Sequence, residues 1–193
     1  MSLLSWNCRG LRNLRSVNAL AKVVNKEEPI IVFLMETKLK KDWLDLIKEK
    51  CKMKNCFVGP SIGNSGGLIL LWKEDFRVDV KTFSQNHIDA WADGREIGWW
   101  HFTGFYGHPD TAKRLESWAK LKQLKCTSSL PWLVIGDFNE IIGLSKKEGS
   151  CIRPRKQMED FVTTILIIVV FVILGLIGSK FTWLYQTTCG VKI

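Results

Sequence analysis

Three short apolar runs, each stopping at a polar cluster, constrain this chain most. Ser2–Trp6 runs into Asn7-Cys8-Arg9-Gly10. Ile30–Leu34 is followed by Glu36-Thr37-Lys38. Pro131–Ile135 passes directly into Gly136-Asp137-Phe138-Asn139. Apolar runs this short, bounded by turn residues, read as buried strands rather than helices. A polar side chain at a buried strand's end is carried on rigid backbone and presented to the loops. Carboxylates and carboxamides delivered by several such strands can converge on one point.

Helical spacing fills the intervals. Arg15–Lys26 places Val17, Leu20, Ala21 and Val24 on one face, and Pro29 stops it. Lys40–Lys50 turns Leu44 and Ile47 inward and its lysines outward. From Cys56 the period becomes that of strands. Phe57-Val58, Gly67–Trp72, Arg77–Phe83, His87–Trp91 and Ile97–Tyr106 are separated by Gly-, Asn- and Asp-containing turns. Thr111–Leu124 is an amphipathic helix that begins just after Pro109. Alternating strands and helices, mixed with hairpin runs, predict an α/β fold of two packed, mainly antiparallel sheets with helices outside.

A chain of 193 residues with 46% hydrophobic and 24% charged residues can bury a core, which excludes a disordered tail. Its nine tryptophans suit core and sheet-face positions, with Trp99 or Trp100 a candidate base-stacking ring. The formal charge is +9, and residues 161–193 hold only Lys180 and Lys192, so the basic excess lies on the main body. A basic body favours a polyanion such as nucleic acid. The six cysteines form no C-x-x-C pair or zinc-finger spacing, and the expectation is free thiols. The N-terminus has no basic and long apolar leader pattern.

Asn7, Glu36, Asp137 and Asn139 form the candidate constellation. Hard divalent cations take oxygen ligands, and Mg²⁺ commonly takes one or two carboxylates plus waters and substrate phosphate. Glu36 can supply such a carboxylate and Asp137 can orient or deprotonate a water. The amides of Asn7 and Asn139 can hold a phosphate oxygen or a carboxylate without adding repulsion. The set suits metal-assisted phosphodiester hydrolysis.

The motifs carry a resemblance. Leu4-Ser5-Trp6-Asn7-Cys8-Arg9-Gly10-Leu11, Phe33-Leu34-Met35-Glu36-Thr37-Lys38, Gly104-Phe105-Tyr106-Gly107-His108-Pro109 and Trp132-Leu133-Val134-Ile135-Gly136-Asp137-Phe138-Asn139-Glu140 follow in order. With Ser65-Gly66-Gly67-Leu68, Asn86-His87-Ile88-Asp89 and Lys180-Phe181-Thr182-Trp183, the chain resembles the endonuclease/exonuclease/phosphatase superfamily. It looks most like the apurinic-endonuclease-like domain of plant LINE-type retrotransposons.

The resemblance implies a four-layered α/β sandwich and cleavage of DNA with Mg²⁺ or Mn²⁺. Glu36 would be the metal carboxylate with Asn7 beside it. Tyr106 would contact the scissile phosphate or help orient the leaving group. Asp137 would position or activate water, and Asn139 would hold the phosphate or Asp137. Arg9, His108, Lys146, Lys147 and Arg153 are candidate phosphate contacts, and a solvated basic loop explains the lysines and arginines as well. No protein partner is implied, and the ancestry implies a nuclear or cytoplasmic place.

Two departures temper this. The family's Arg-x-Asp-Arg and Ser-Asp-His-type motifs do not occur, and His87, His101 and His108 lie in other motifs. The expectation is therefore a C-terminally truncated domain, incomplete in its last layer, with little nuclease activity. The second departure is the uncharged run Phe161–Gly178, which leaves residues 1–160 as the domain proper and 179–193 as a remainder. As a helix the run spans roughly 27 Å, close to a bilayer's hydrocarbon core. It reads either as a family helix that has lost its polar face or as a membrane span. The rival functions are thus a noncatalytic DNA-binding remnant and a membrane-anchored fragment.

Overall fold

The computed structural model describes residues 2–39, 43–60, 66–95, 98–140 and 155–168. The chain divides into two units, Met1–His108 with Cys126–Phe138, and Pro109–Lys125 with Asn139–Ile193.

All strands of the description belong to the first unit. β1 (Leu3–Asn7), β2 (Ile31–Met35), β3 (Asn55–Val58) and β4 (Ile69–Trp72) form one sheet in the order β1-β2-β4-β3. β5 (Val78–Phe83), β6 (His87–Asp93), β7 (Trp99–Tyr106) and β8 (Trp132–Asp137) form the other in chain order. β1 with β2 and β7 with β8 are parallel, and the remaining pairs are antiparallel. Both sheets are therefore mixed.

The two-residue period of β2 explains how the layers hold together. All five of its residues are buried. Val32 and Leu34 face one way, joining Ile69 and Leu71 of β4 in a core completed by Val17, Leu20, Ala21 and Val24. Those last four line one side of α1 (Leu14–Glu27), whose N-terminus is capped by the Asn13 side chain accepting from Ser16 N. Ile47 of α2 (Leu44–Lys50) joins the same core. Ile31, Phe33 and Met35 face the other way and pack with Leu70, Ile88, Ala90, Phe102 and Tyr106 between the two sheets. A strand buried on both faces must read as a continuous apolar run.

The second unit holds a 3₁₀ turn (Thr111–Lys113), α3 (Arg114–Lys125) and α4 (Arg155–Ile168). Trp118 of α3 meets Phe161 of α4 with ring centroids 5.3 Å apart. Over its described part the uncharged run continues a helix that packs on α3. The helix begins at Arg155, within the charged stretch ahead of the apolar run, and buries Met158 and Phe161 on one face. No helix among the described residues is long and apolar enough to cross a membrane. Residues 169–178 of the run, and 179–193, lie outside the described residues.

Candidate active site

Two parallel strand pairs end at the same place. β1 and β2 are in register Asn7↔Met35, so Asn7 closes one strand and Glu36 follows directly on its neighbour. β7 and β8 are in register Tyr106↔Asp137, which puts those two at the ends of the paired strands in the second sheet. The sheets touch here, where the Asp137 N–H donates to Met35 Sδ at 3.3 Å.

The side chains meet through one amide. Asn7 Nδ2 donates to Glu36 Oε1 at 3.0 Å and to Asp137 Oδ2 at 3.2 Å. Tyr106 Oη donates to the same Glu36 oxygen at 2.6 Å. Two carboxylates thus share a neutral donor, which offsets their mutual repulsion. All three polar residues are half-buried, while Tyr106 is buried with its ring in the inter-sheet core.

The loop carrying Glu36 is held in an uncommon shape. Glu36 and Lys38 have φ of 50° and 46°, a left-handed conformation that non-glycine residues adopt at a cost of order 1 kcal/mol. Backbone bonds compensate: Thr37 N donates to Gly67 O at 3.1 Å, Lys38 N to Gly66 O at 3.0 Å and Leu11 N to Thr37 O at 2.8 Å. Gly67 is required there, because it has φ of 92° and a Cβ would lie 2.6 Å from Thr37 Oγ1. Gly136, just before Asp137, is required as well, since a Cβ would fall 1.8 Å from the Phe105 carbonyl oxygen of β7. Consecutive glycines tolerate positive φ, so the Gly66-Gly67 pair is the sequence signal for this close backbone approach.

The other candidates fall elsewhere. Arg9 has φ of 49°, and its N–H donates to Asn7 Oδ1 at 3.3 Å, so its backbone orients the site amide. His108 is half-buried at the end of the first unit. Asn139 belongs to the second unit and has φ of 54°. Lys146, Lys147 and Arg153 lie outside the described residues. Trp100 is buried in the inter-sheet core, so of the Trp99–Trp100 pair only Trp99 presents an accessible ring, with the Arg77 guanidinium 5.7 Å from its centroid.

The remaining histidines serve the second sheet. His101 Nε2 contacts Asp89 Oδ1 at 2.7 Å and its ring stacks on Trp132, while His87 lies against Ser84 and Thr82. Cys8, Cys51, Cys56 and Cys126 are free thiols. Burial pushes the Cys8 thiol, next to the site, up to about 12. Cys8 is therefore a neutral packing group there rather than a nucleophile or soft ligand.

The donor chemistry fits a hard divalent cation. Glu36 Oε2 receives no hydrogen bond among the described residues, which leaves it open to a ligand. No three His, Cys, Asp or Glu side chains among those residues are grouped so as to hold a metal ion by themselves. Glu36, with Asp137 nearby, could hold Mg²⁺ only together with waters and substrate oxygens, the usual condition of that ion.

Two mixed sheets ending in a shared carboxylate–amide cluster define the class of fold. The model of the Endonuclease/Exonuclease/phosphatase family matches residues 4–187, and the chain belongs to that family. Among solved structures it is similar to the endonuclease domain of TRAS1, a telomere-specific non-LTR retrotransposon. The TM-score is 0.66 at 13% identity, covering 98% of this chain and 82% of that one. An AP endonuclease from Archaeoglobus fulgidus follows at TM-score 0.60 and 15% identity, covering 85% and 69%. The 3′ phosphatase NExo from Neisseria, bound to a product DNA hairpin, gives 0.61 and 14%, covering 86% and 70%. At these identities the likeness is one of fold. No curated protein sequence matches the chain.

Proposed function

We propose that this chain hydrolyses DNA phosphodiester bonds with a divalent cation, as a retrotransposon-type endonuclease. The fold it shares with its family supports phosphodiester hydrolysis in general. The observation that carries the finer reading is the Asn7 amide joining Glu36 and Asp137 while Tyr106 donates to Glu36. The net charge of +9 supports a polyanionic substrate.

In this reading Glu36 and Asn7 would hold Mg²⁺ or Mn²⁺, which would neutralise charge developing on the phosphoryl oxygens. Tyr106 and Asn7 fix one oxygen of Glu36 by hydrogen bonds and so aim the other. Asp137 takes a proton from the attacking water, its carboxylate held in place by Asn7. Arg9, at the edge of the site, meets backbone phosphate.

The test is nicking of supercoiled plasmid by the full chain with Mg²⁺, beside Glu36→Gln and Asp137→Asn. The reading expects nicking that EDTA abolishes and that each variant lowers about 10²-fold or more. Nicking indifferent to EDTA and to both variants would sink it. DNA binding without any nicking would favour a noncatalytic, DNA-binding remnant.

A further inference from the structure

The hairpin between β5 and β6 closes tightly, with Ser84 N donating to His87 O at 2.8 Å across Gln85 and Asn86. The register His87↔Phe105 then sets Asn86 opposite Tyr106. Residues facing each other in a hydrogen-bonded antiparallel pair exchange two bonds. The first is made conventionally, from Tyr106 N to Asn86 O at 2.7 Å. The second is not, because the Asn86 N–H is spent on Ser84 Oγ at 3.0 Å. The Asn86 carboxamide replaces it, with Nδ2 donating to Tyr106 O at 2.9 Å.

The other side of the same peptide is held too. Gly107 N, bonded to the Tyr106 carbonyl carbon, donates to Asp137 O at 2.7 Å. Tyr106 is the last residue of its strand, where the ladder ordinarily frays. Here its N–H, its C=O and the next N–H are all fixed, and its hydroxyl lies 2.6 Å from Glu36 Oε1. Ser84 Oγ, which anchors the Asn86 N–H, is itself 2.7 Å from His87 Nδ1, a buried ring.

We infer that Asn86 is a positioning residue for the Tyr106–Glu36 pair: its carboxamide stands in for a missing ladder bond and holds the phenol on the carboxylate. The inference rests on the hydrolase reading above for its effect on rate, and on geometry alone for its effect on Tyr106. Misplacing a reacting group by about 1 Å costs about 10²-fold, which sets the scale expected.

The chain has two tyrosines, Tyr106 and Tyr185. Labelling the full chain with ¹³Cζ-tyrosine therefore gives two resonances, assigned by Tyr185→Phe, and Glu36→Gln reports where the Tyr106 signal moves when its acceptor changes. Asn86→Ala removes the donor. Asn86→Asp keeps the shape and sets a carboxylate against the carbonyl. Both variants are expected to move the Tyr106 resonance in the direction seen for Glu36→Gln. Both are expected to lower kcat for plasmid nicking about 10- to 100-fold with KM for DNA unchanged. A Tyr106 resonance unmoved in both variants overturns the inference, and so does a moved resonance with unaltered kcat or a change confined to KM. Should the unsubstituted chain fail to nick DNA, the hydrolase reading falls by itself, while the resonance still decides whether Asn86 holds Tyr106.

Discussion

Replacing the shared amide by a third carboxyl, Asn7→Asp, tests the electrostatics of the cluster most directly. An oxygen in place of Nδ2 would sit 3.0 Å from Glu36 Oε1 and 3.2 Å from Asp137 Oδ2. With an effective dielectric of about 20, each like-charge contact costs about 5 kcal/mol. Holding a proton is cheaper, since keeping an ordinary carboxyl protonated at pH 7 costs about 4 kcal/mol. The variant therefore takes up a proton, and its loss of stability is capped near about 4 kcal/mol at pH 7. The native cluster then binds one proton that the unfolded chain releases above its ordinary carboxyl range. Stability accordingly falls as pH rises, by about 1.4 kcal/mol per unit, which leaves a deficit of only about 1.5 kcal/mol at pH 5. Asn7→Ala, which removes both hydrogen bonds but adds no third carboxyl, has a shallower slope of the same sign, from the two acids alone. Urea denaturation of both variants across this range, with EDTA and then with millimolar Mg²⁺, is the assay. Mg²⁺ should restore Asn7→Asp far more than Asn7→Ala, because stabilisation by a ligand follows its affinity for the native site. A loss in Asn7→Asp with no steeper pH dependence than that of Asn7→Ala would refute the reasoning and show that the carboxylates do not crowd that position.

Three further outcomes follow from buried groups. Arg114 Nη1 and Glu140 Oε2 are 2.9 Å apart with both side chains buried, so Arg114→Met should cost about 3–5 kcal/mol while Arg114→Met with Glu140→Met regains most of it; equal losses in chemical denaturation would contradict this. Burial pushes the Cys8 and Cys51 thiols up to about 12 and about 11, against 9.0 for an exposed thiol. In the native chain at pH 8, iodoacetamide should modify exposed Cys126 well before Cys8 or Cys51, as peptide mapping would read. Because these thiols stay protonated in the fold and ionise when unfolded, stability should decline as pH climbs from about 9 towards about 12.

Much of the fold was legible because burial leaves a mark on composition. β2 had to be apolar at every position since Val32 and Leu34 pack towards α1 while Phe33 and Met35 pack between the sheets. The polar residues that end β1, β2 and β8 stood out by contrast with such runs. Less legible is a role that depends on a partner distant in the chain. Arg114 opens a helix whose spacing marks it only as amphipathic, and it is buried on Glu140, 26 residues away in sequence. Phe161 belongs to an uncharged run that looks suited to lipid, yet the turn of helix before it is charged and its ring packs on Trp118. Asn86 sits in a turn whose composition says only that a turn is present.

The site itself shows why chemistry-bearing residues can be read before their contacts can. Glu36 and Asp137 come from different sheets and, without a mediator, would repel one another at the shared strand ends. A carboxamide at position 7 removes that conflict, because its NH₂ offers two protons and no charge. Sequence shows the residue types that make such a cluster tolerable. Distances of 3.0 and 3.2 Å show that the one amide spans both acids. Changing Asn7 therefore acts on Glu36 and Asp137 at once, whereas changing either acid leaves the amide bonded to the other.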